Sequence, residues 1–402
     1  STWVMRILIL ILLLSFNASA QVVGFLPIYT PPSGGGSFSP TVQGVIEDDG
    51  KYNGFPMTDT LANGNIFSIY KKSYDHAGAG YLMFNQTDDG GTTNTEFAII
   101  VDGDTLQSAA HSLGIIRSIN RIVIAYQDDE TYSFIKFAYS DNNGITFTQS
   151  DSIYFGAVSS PSPVKMFVMP SGKIRMGYYR INVGADSSIV GFVNSTDNGL
   201  SWAIGESIFE HGGTGYGDNN GNEFGFVVTD STGVDATTKM MALIRNSDQA
   251  VYMHYYSADG GATWNTSFTE DAGAGGPYSR HYMYNFGGAS NQSPVDIIRH
   301  NDSIYVVNGY RKTNSSISYD LKYIVTSQAN AYINNWNNWG AVDSLLQFNA
   351  TTLGSEVDCG YPVFFHDRQG KLWVRHYDVS TEPLNPAIAA DRCWIYQFKI
   401  AD

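Results

Sequence analysis

Short runs in which apolar and polar residues alternate recur along the chain, each closed by a glycine-bearing turn. No stretch carries the 3.6-residue periodicity of a sustained amphipathic helix. Three segments, LANGNIFSIY (Leu61 to Tyr70), VMPSGKIRMGY (Val168 to Tyr178) and FHDRQGKLWVRHY (Phe365 to Tyr377), read as copies of one β-hairpin. The pattern predicts an all-β chain and disfavours a parallel α/β fold.

A second kind of turn repeats as well: SDNNGITF from Ser140, STDNGLSW from Ser195, SADGGATW from Ser257 and, more weakly, TDDGGTT from Thr87. Taking Asp89, Asp141, Asp197 and Asp259 as equivalent positions, the intervals are 52, 56 and 62 residues, a period that suits a propeller blade. The chemistry of such a turn is local. A carboxylate accepts backbone N–H bonds, glycine takes a positive φ and the closing aromatic residue wedges into the core. A calcium loop is the competing reading, but the bidentate glutamate at loop position twelve is missing.

Counting hairpins gives repeats starting near Asn53, Ser108, Pro161, Asn222, Ser293 and Cys359. The expected architecture is therefore a six-bladed β-propeller of four-stranded antiparallel blades over residues 53–402, preceded by a lead-in or linker at 21–52 that contains TPPSGGGSFSP.

The 402 residues include 43% hydrophobic residues and 41 glycines, enough for a large core and too many turn formers for a helical protein. Lys+Arg 23 against Asp+Glu 38 gives a net charge of −15, which disfavours nucleic acid and anionic membranes as partners. Residues 1–20 read as a cleavable signal, with Arg6, the apolar run Ile7 to Leu14 and Ala18-Ser19-Ala20, so a secreted or periplasmic protein without stable membrane insertion is expected. In that setting Cys359 and Cys393 are expected to form one disulfide. No H-E-x-x-H or paired C-x-x-C motif occurs, so neither metal nor cofactor is expected.

The turn Ser257 to Trp264 resembles the Asp box, S-x-D-x-G-x-T-W, of the sialidase superfamily, and the resemblance runs from Asn53 to the C-terminus. That superfamily also contains lyases, other glycosidases and binding propellers. The resemblance implies a site at one end of the channel, lined by inner-strand ends and by the loops joining the first two strands of each blade, with the Asp boxes at the other end. Glu223 in NEFGFVV is followed 22 residues later by Arg245, then by Arg311 in IYVVNGYR and Tyr361 in CGYPVFF, in the family's order of Glu, Arg, Arg, Tyr. It implies Tyr361 as nucleophile, Glu223 as its base, Arg245 and Arg311 as carboxylate clamps and Asp75 as general acid, with the adjacent His76 as competitor for that proton or as a substrate contact.

These residue types suit a sugar that carries a carboxylate beside its anomeric carbon. Guanidinium groups grip the acid, and a neutral tyrosine avoids the repulsion that a carboxylate nucleophile would meet. One departure stands out: Gly54 in Asn53-Gly54-Phe55-Pro56 occupies the place of the family's first clamp arginine, and Lys71 or Lys72 could substitute as a point charge. The implied activity is a monomeric exo-glycoside hydrolase that removes a terminal acidic sugar from a glycan. The alternatives are a polysaccharide lyase using His76, His211 or Tyr361, and a non-catalytic glycan-binding propeller. Each residue also has a structural alternative, since strand arginines pair with neighbouring carboxylates and strand tyrosines fill cores.

Overall fold

The computed structural model describes residues 42–46, 52–73, 80–87, 95–108, 110–127, 133–157, 159–182, 187–211, 221–246, 251–266, 292–311, 317–328, 343–350, 359–378 and 394–401. They form six antiparallel sheets of four or five strands and one two-stranded ribbon. In the first sheet Tyr52–Thr60, Ile66–Ser73, Gly80–Thr87 and Thr95–Ala98 follow in spatial order, and Gln107–Ser108 also pairs with the third strand. The second holds His111–Ile116, Arg121–Gln127, Phe134–Ser140 and Thr148–Tyr154. The third holds Ser159–Val168, Ile174–Asn182, Ser187–Ser195 and Ala203–His211. The fourth holds Gly221–Asp230, Lys239–Asn246, Val251–Ser257 and Asn265–Thr266. The fifth holds Gln292–His300, Ser303–Arg311, Ile317–Ser327 and Asp343–Ala350.

The sixth sheet departs from the sequence reading. Cys359–His366, Leu372–Asp378 and Trp394–Ala401 supply three strands, and its fourth is Val42–Ile46, paired antiparallel to Trp394–Ala401. The segment taken as a lead-in thus contains a strand. VQGVI is too short and too isolated to announce itself, because its partner lies some 350 residues away along the chain.

First strands of successive sheets pack against one another in a closed ring, from the first sheet through the sixth and back to the first. Second strands are buried on both faces and send alternate residues to the two neighbouring sheets. Ile122 and Ile124 join a core with Phe67, Ile69 and Leu82 of the first sheet, whereas Val123 and Ala125 join Met176 and Trp202 of the third. Met240 and Ala242 face Phe192, and Met241 and Leu243 face Ile297 and Val306, in the same way. Burial fades outward, so RIVIAYQ reads as continuously apolar and the outer strand TQSDSIY as mostly polar.

The three hairpins read from sequence share one turn geometry. Leu61, Met169 and Asp367 each donate N–H to the carbonyl four residues on, at 2.8, 2.7 and 3.0 Å, and Gly64, Gly172 and Gly370 take φ of 89°, 88° and 79°.

The second turn type is equally regular. Ser257 Oγ donates to Asp259 Oδ1 at 2.7 Å and accepts from Gly261 N, while Thr263 N and Oγ1 donate to the same carboxylate at 2.9 and 2.6 Å. Ser195, Asp197, Gly199 and Ser201 repeat the network. In the Ser140 turn the equivalent residue is Asn142 and not Asp141: Asn142 Oδ1 accepts from Ser140 Oγ at 2.8 Å and Thr146 N at 3.0 Å. Asp141 instead forms a two-pronged pair with Arg121 at 2.7 and 2.8 Å. An amide oxygen serves as acceptor as well as a carboxylate does, which is why the charge pattern misassigned the position. Asp89 lies outside the described residues.

The loops joining first and second strands lie at the same end as these turns. Gly260 N donates to Thr238 O at 2.8 Å, and Ser171 Oγ donates to Asp235 Oδ2 at 2.6 Å. The expectation that those loops line the site is corrected: in an up-and-down sheet the first-to-second connection and the third-to-fourth connection emerge on one side. The starts of first strands and the ends of second strands define the opposite end.

Candidate functional site

At that opposite end a cavity of about 350 Å³ is lined by the first strands of all six sheets, with Phe55, Ala110, Ser162, Glu223, Pro294 and Tyr361 among its walls. Five of these six strands carry a register shift, near the start at Gly54/Met57, Gly221/Phe224, Gln292/Val295 and Gly360/Val363 and mid-strand at Pro163/Met166. A shift releases a residue or two from the ladder and re-aims a side chain toward the axis.

Glu223, released in this way, is buried at the cavity wall. Its Oε1 accepts a hydrogen bond from the Tyr361 hydroxyl and its Oε2 pairs with Arg245 Nη1. One carboxylate thus bridges a phenol from the sixth sheet and a guanidinium from the fourth. Burial, then the Glu223 charge, then Tyr179 push the Tyr361 phenol well above its ordinary range, so it stays protonated until a base removes the proton. Burial works against the Arg245 cation, but Glu223 and Tyr361 outweigh it and hold the guanidinium charged. Tyr179, also on the cavity wall, is raised by burial and by Glu223.

Deeper in the cavity Lys165 Nζ donates to Asp296 Oδ1 and to the Ile297 carbonyl, both at 2.8 Å, while Asp296 Oδ2 accepts from Phe364 N at 2.7 Å. This pair ties the third, fifth and sixth sheets together across the axis. His111 Nε2 meets the Phe55 carbonyl at 2.8 Å, and burial, with Lys71 nearby, lowers its pKa to about 4, leaving a neutral imidazole that donates.

Of the residues expected from sequence, Glu223, Arg245 and Tyr361 come together. Arg311 is placed by its backbone at the end of the second strand of the fifth sheet, the counterpart of Arg245 in the fourth, and its side chain lies outside the described residues. Asp75, His76 and Cys393 lie outside them as well, and of Cys359 only the backbone is described. Lys72 does not line the cavity and pairs with Glu96 Oε1 at 2.8 Å. Lys71 is fully buried, with Nζ 5.4 Å from the Tyr52 ring centroid and 5.0 Å from that of Phe55.

Gly54 has a local cause. A Cβ at this position would collide with the Tyr52 ring, so no side chain can leave the strand here while Tyr52 keeps its place. Phe55, Tyr179 and His111 escaped the sequence reading. For Phe55 a signal was present, because Gly54-Phe55-Pro56 and Gly360-Tyr361-Pro362 are the same motif at the same place in two repeats. Both aromatic residues adopt positive φ, 58° and 49°, a strained conformation that costs on the order of 1–3 kcal/mol each and concentrates at working sites. Among the described residues no group of three or more His, Cys, Asp or Glu converges to hold a metal ion.

No protein-family model matches the sequence, and no curated protein matches it. Solved structures do. A protein of unknown function from Dyadobacter fermentans aligns over 89% of this chain and 98% of its own length, with 14% identity and a TM-score of 0.60. A Hadza microbial sialidase aligns over 88% of this chain and 68% of its own, with 12% identity and a TM-score of 0.56. Trypanosoma rangeli sialidase in complex with the inhibitor DANA aligns over 87% of this chain, with 10% identity and a TM-score of 0.55, and the match spans 55% of that longer protein. The likeness is one of fold: an all-β arrangement of four-stranded antiparallel sheets similar to that of sialidases.

Proposed function

We propose that this protein is an exported exo-glycoside hydrolase on a six-bladed β-propeller, removing a terminal acidic sugar of the sialic acid type from a glycan. The observation that carries the reading is the Glu223 carboxylate, which bridges the Tyr361 hydroxyl and the Arg245 guanidinium at the wall of the central cavity. A phenol held protonated by its surroundings is a poor nucleophile until a base takes its proton. Glu223 accepts from that hydroxyl and is positioned to do so.

In this mechanism the Tyr361 oxygen attacks the anomeric carbon, its proton passes to Glu223, and the bond to the leaving-group oxygen breaks as Asp75 protonates that oxygen. Water then cleaves the tyrosyl glycoside, with Glu223 returning the proton to Tyr361 and Asp75 acting as base. Arg245, whose charge is secured by Glu223, and Arg311 hold the sugar carboxylate. The fold likeness to sialidases supports the same reading.

The test is release of free sugar acid from sialosides by wild type and by Tyr361→Phe. Release by wild type, reduced at least about a hundredfold in the variant, is expected. Equal release by both would remove Tyr361 from the nucleophile's role, and no release from any sialoside would overturn the substrate.

A further inference from the structure

Phe55 and Tyr361 are one structural device used twice. Each follows a glycine, precedes a proline, takes a positive φ and sits in the register shift that opens its strand. Their rings meet edge to face with centroids 4.5 Å apart and planes at 84°, and both line the cavity. Phe55 is also fixed from behind. His111 donates to its carbonyl, the Tyr377 ring lies 5.4 Å away, and the Lys71 ammonium sits 5.0 Å from its ring centroid.

The first sheet therefore presents the uncharged side chains of Phe55 and Met57 to the cavity, and Lys71, 5.0 Å from the Phe55 ring centroid, is buried behind that wall and does not line the cavity. The Tyr52 ring occupies the space that a side chain at position 54 would need. A carboxylate pressed against such a wall would lose its water without gaining a partner, whereas the C–H bonds of a pyranose meet an aromatic ring favourably.

We propose that Phe55 is a specificity-determining residue: the sugar held at Tyr361 rests an uncharged, C–H-bearing part of its ring on Phe55, and its acidic group turns away from the first sheet. This rests on the acidic-sugar reading of the site. The chemical class it selects is a pyranose acid recognised by charge on one side and by apolar contact on the other.

The experiment is calorimetric titration of the full chain with a ring-unsaturated sialic acid glycal and with its methyl ester. Wild type is compared with Phe55→Ser, Phe55→Leu and Lys71→Met, and far-ultraviolet circular dichroism verifies the fold. Phe55→Ser is expected to weaken acid and ester alike, by about tenfold, the loss of one aromatic contact. Lys71→Met should leave the acid-to-ester affinity ratio within about twofold of wild type, because a neutral ester reports packing and only the acid reports charge. Should Phe55→Ser not fold, Phe55→Leu gives the same readout, and the neutral Lys71→Gln serves likewise for Lys71→Met. Unchanged affinity in the Phe55 variants overturns the inference, and so does a Lys71 variant that loses the acid but keeps the ester. Wild type binding neither probe overturns the acidic-sugar reading itself, and the inference falls with it.

Discussion

A single carboxylate with two obligations makes Glu223 the most informative residue to change. Glu223→Gln keeps the shape but removes the proton acceptor for Tyr361 and the counter-charge for Arg245. Sugar release should fall by about 10²-fold or more with circular dichroism unchanged, and thermal denaturation should show a loss of about 2 kcal/mol from the unpaired guanidinium. The turn residues allow a cleaner contrast. Asn142→Ala removes an acceptor for two described donors and should cost about 1 kcal/mol in urea denaturation, whereas Asp141→Ala breaks an exposed ion pair and should cost no more than about 0.5 kcal/mol. The reverse order would mean that the charged neighbour supports the turn after all. In the Ser195 turn burial opposes the Asp197 charge, but donors from Ser201, Ser195 and Leu200 outweigh it and bring its pKa to about 2. Its contribution to stability is present above pH ~4 and is lost as the pH falls through about 2.

Among the elements, Val42–Ile46 has a role out of proportion to its length. Deleting it leaves the outer edge of Trp394–Ala401 unpaired, so the truncated chain should show a lower thermal midpoint and concentration-dependent light scattering. That strand was also the least legible in the sequence, and the contrast with the hairpins is instructive. Gly64, Gly172 and Gly370 announce their turns because a positive φ is a local demand that the sequence must meet locally. A pairing such as Gln43 with Gln397 leaves no local trace. The same division runs through the site. Glu223, Arg245 and Tyr361, which the structure brings together, were singled out by the resemblance of their order to the sialidase pattern. That Lys72 serves Glu96, and that Tyr52 fills the space over Gly54, depends on packing between strands that no spacing reveals. The Ser140 turn is built on the amide oxygen of Asn142, which a pattern of charges does not mark.

At the scale of the whole molecule, pH acts, among the described residues, through three imidazoles kept neutral by burial. Burial lowers His111, His366 and His376 to about 4; Lys71 adds to this at His111, and His300, Arg117 and Lys165 add to it at His366, with Asp367 opposing. In the unfolded chain these groups titrate near ~6.5, so it takes up protons first, and stability should be full above that value and fall steadily as the pH drops toward about 4. Denaturant midpoints measured across that interval check this, and the slope should be shallower in His376→Gln. At the seam between the fifth and sixth sheets His300 Nδ1 and His366 Nε2 lie 3.1 Å apart, so protonation of His366 at the acid end of the range should disturb this contact. The sixth sheet also sets the order of events during synthesis. A chain made from its N-terminus carries Val42–Ile46 without a mate until Trp394–Ala401 has been polymerised, so the ring stays unlatched while the residues between them are made. The central cavity has its sixth wall once Cys359–His366 is in place, but the sheet that bears this wall is completed only when Val42–Ile46 pairs with Trp394–Ala401.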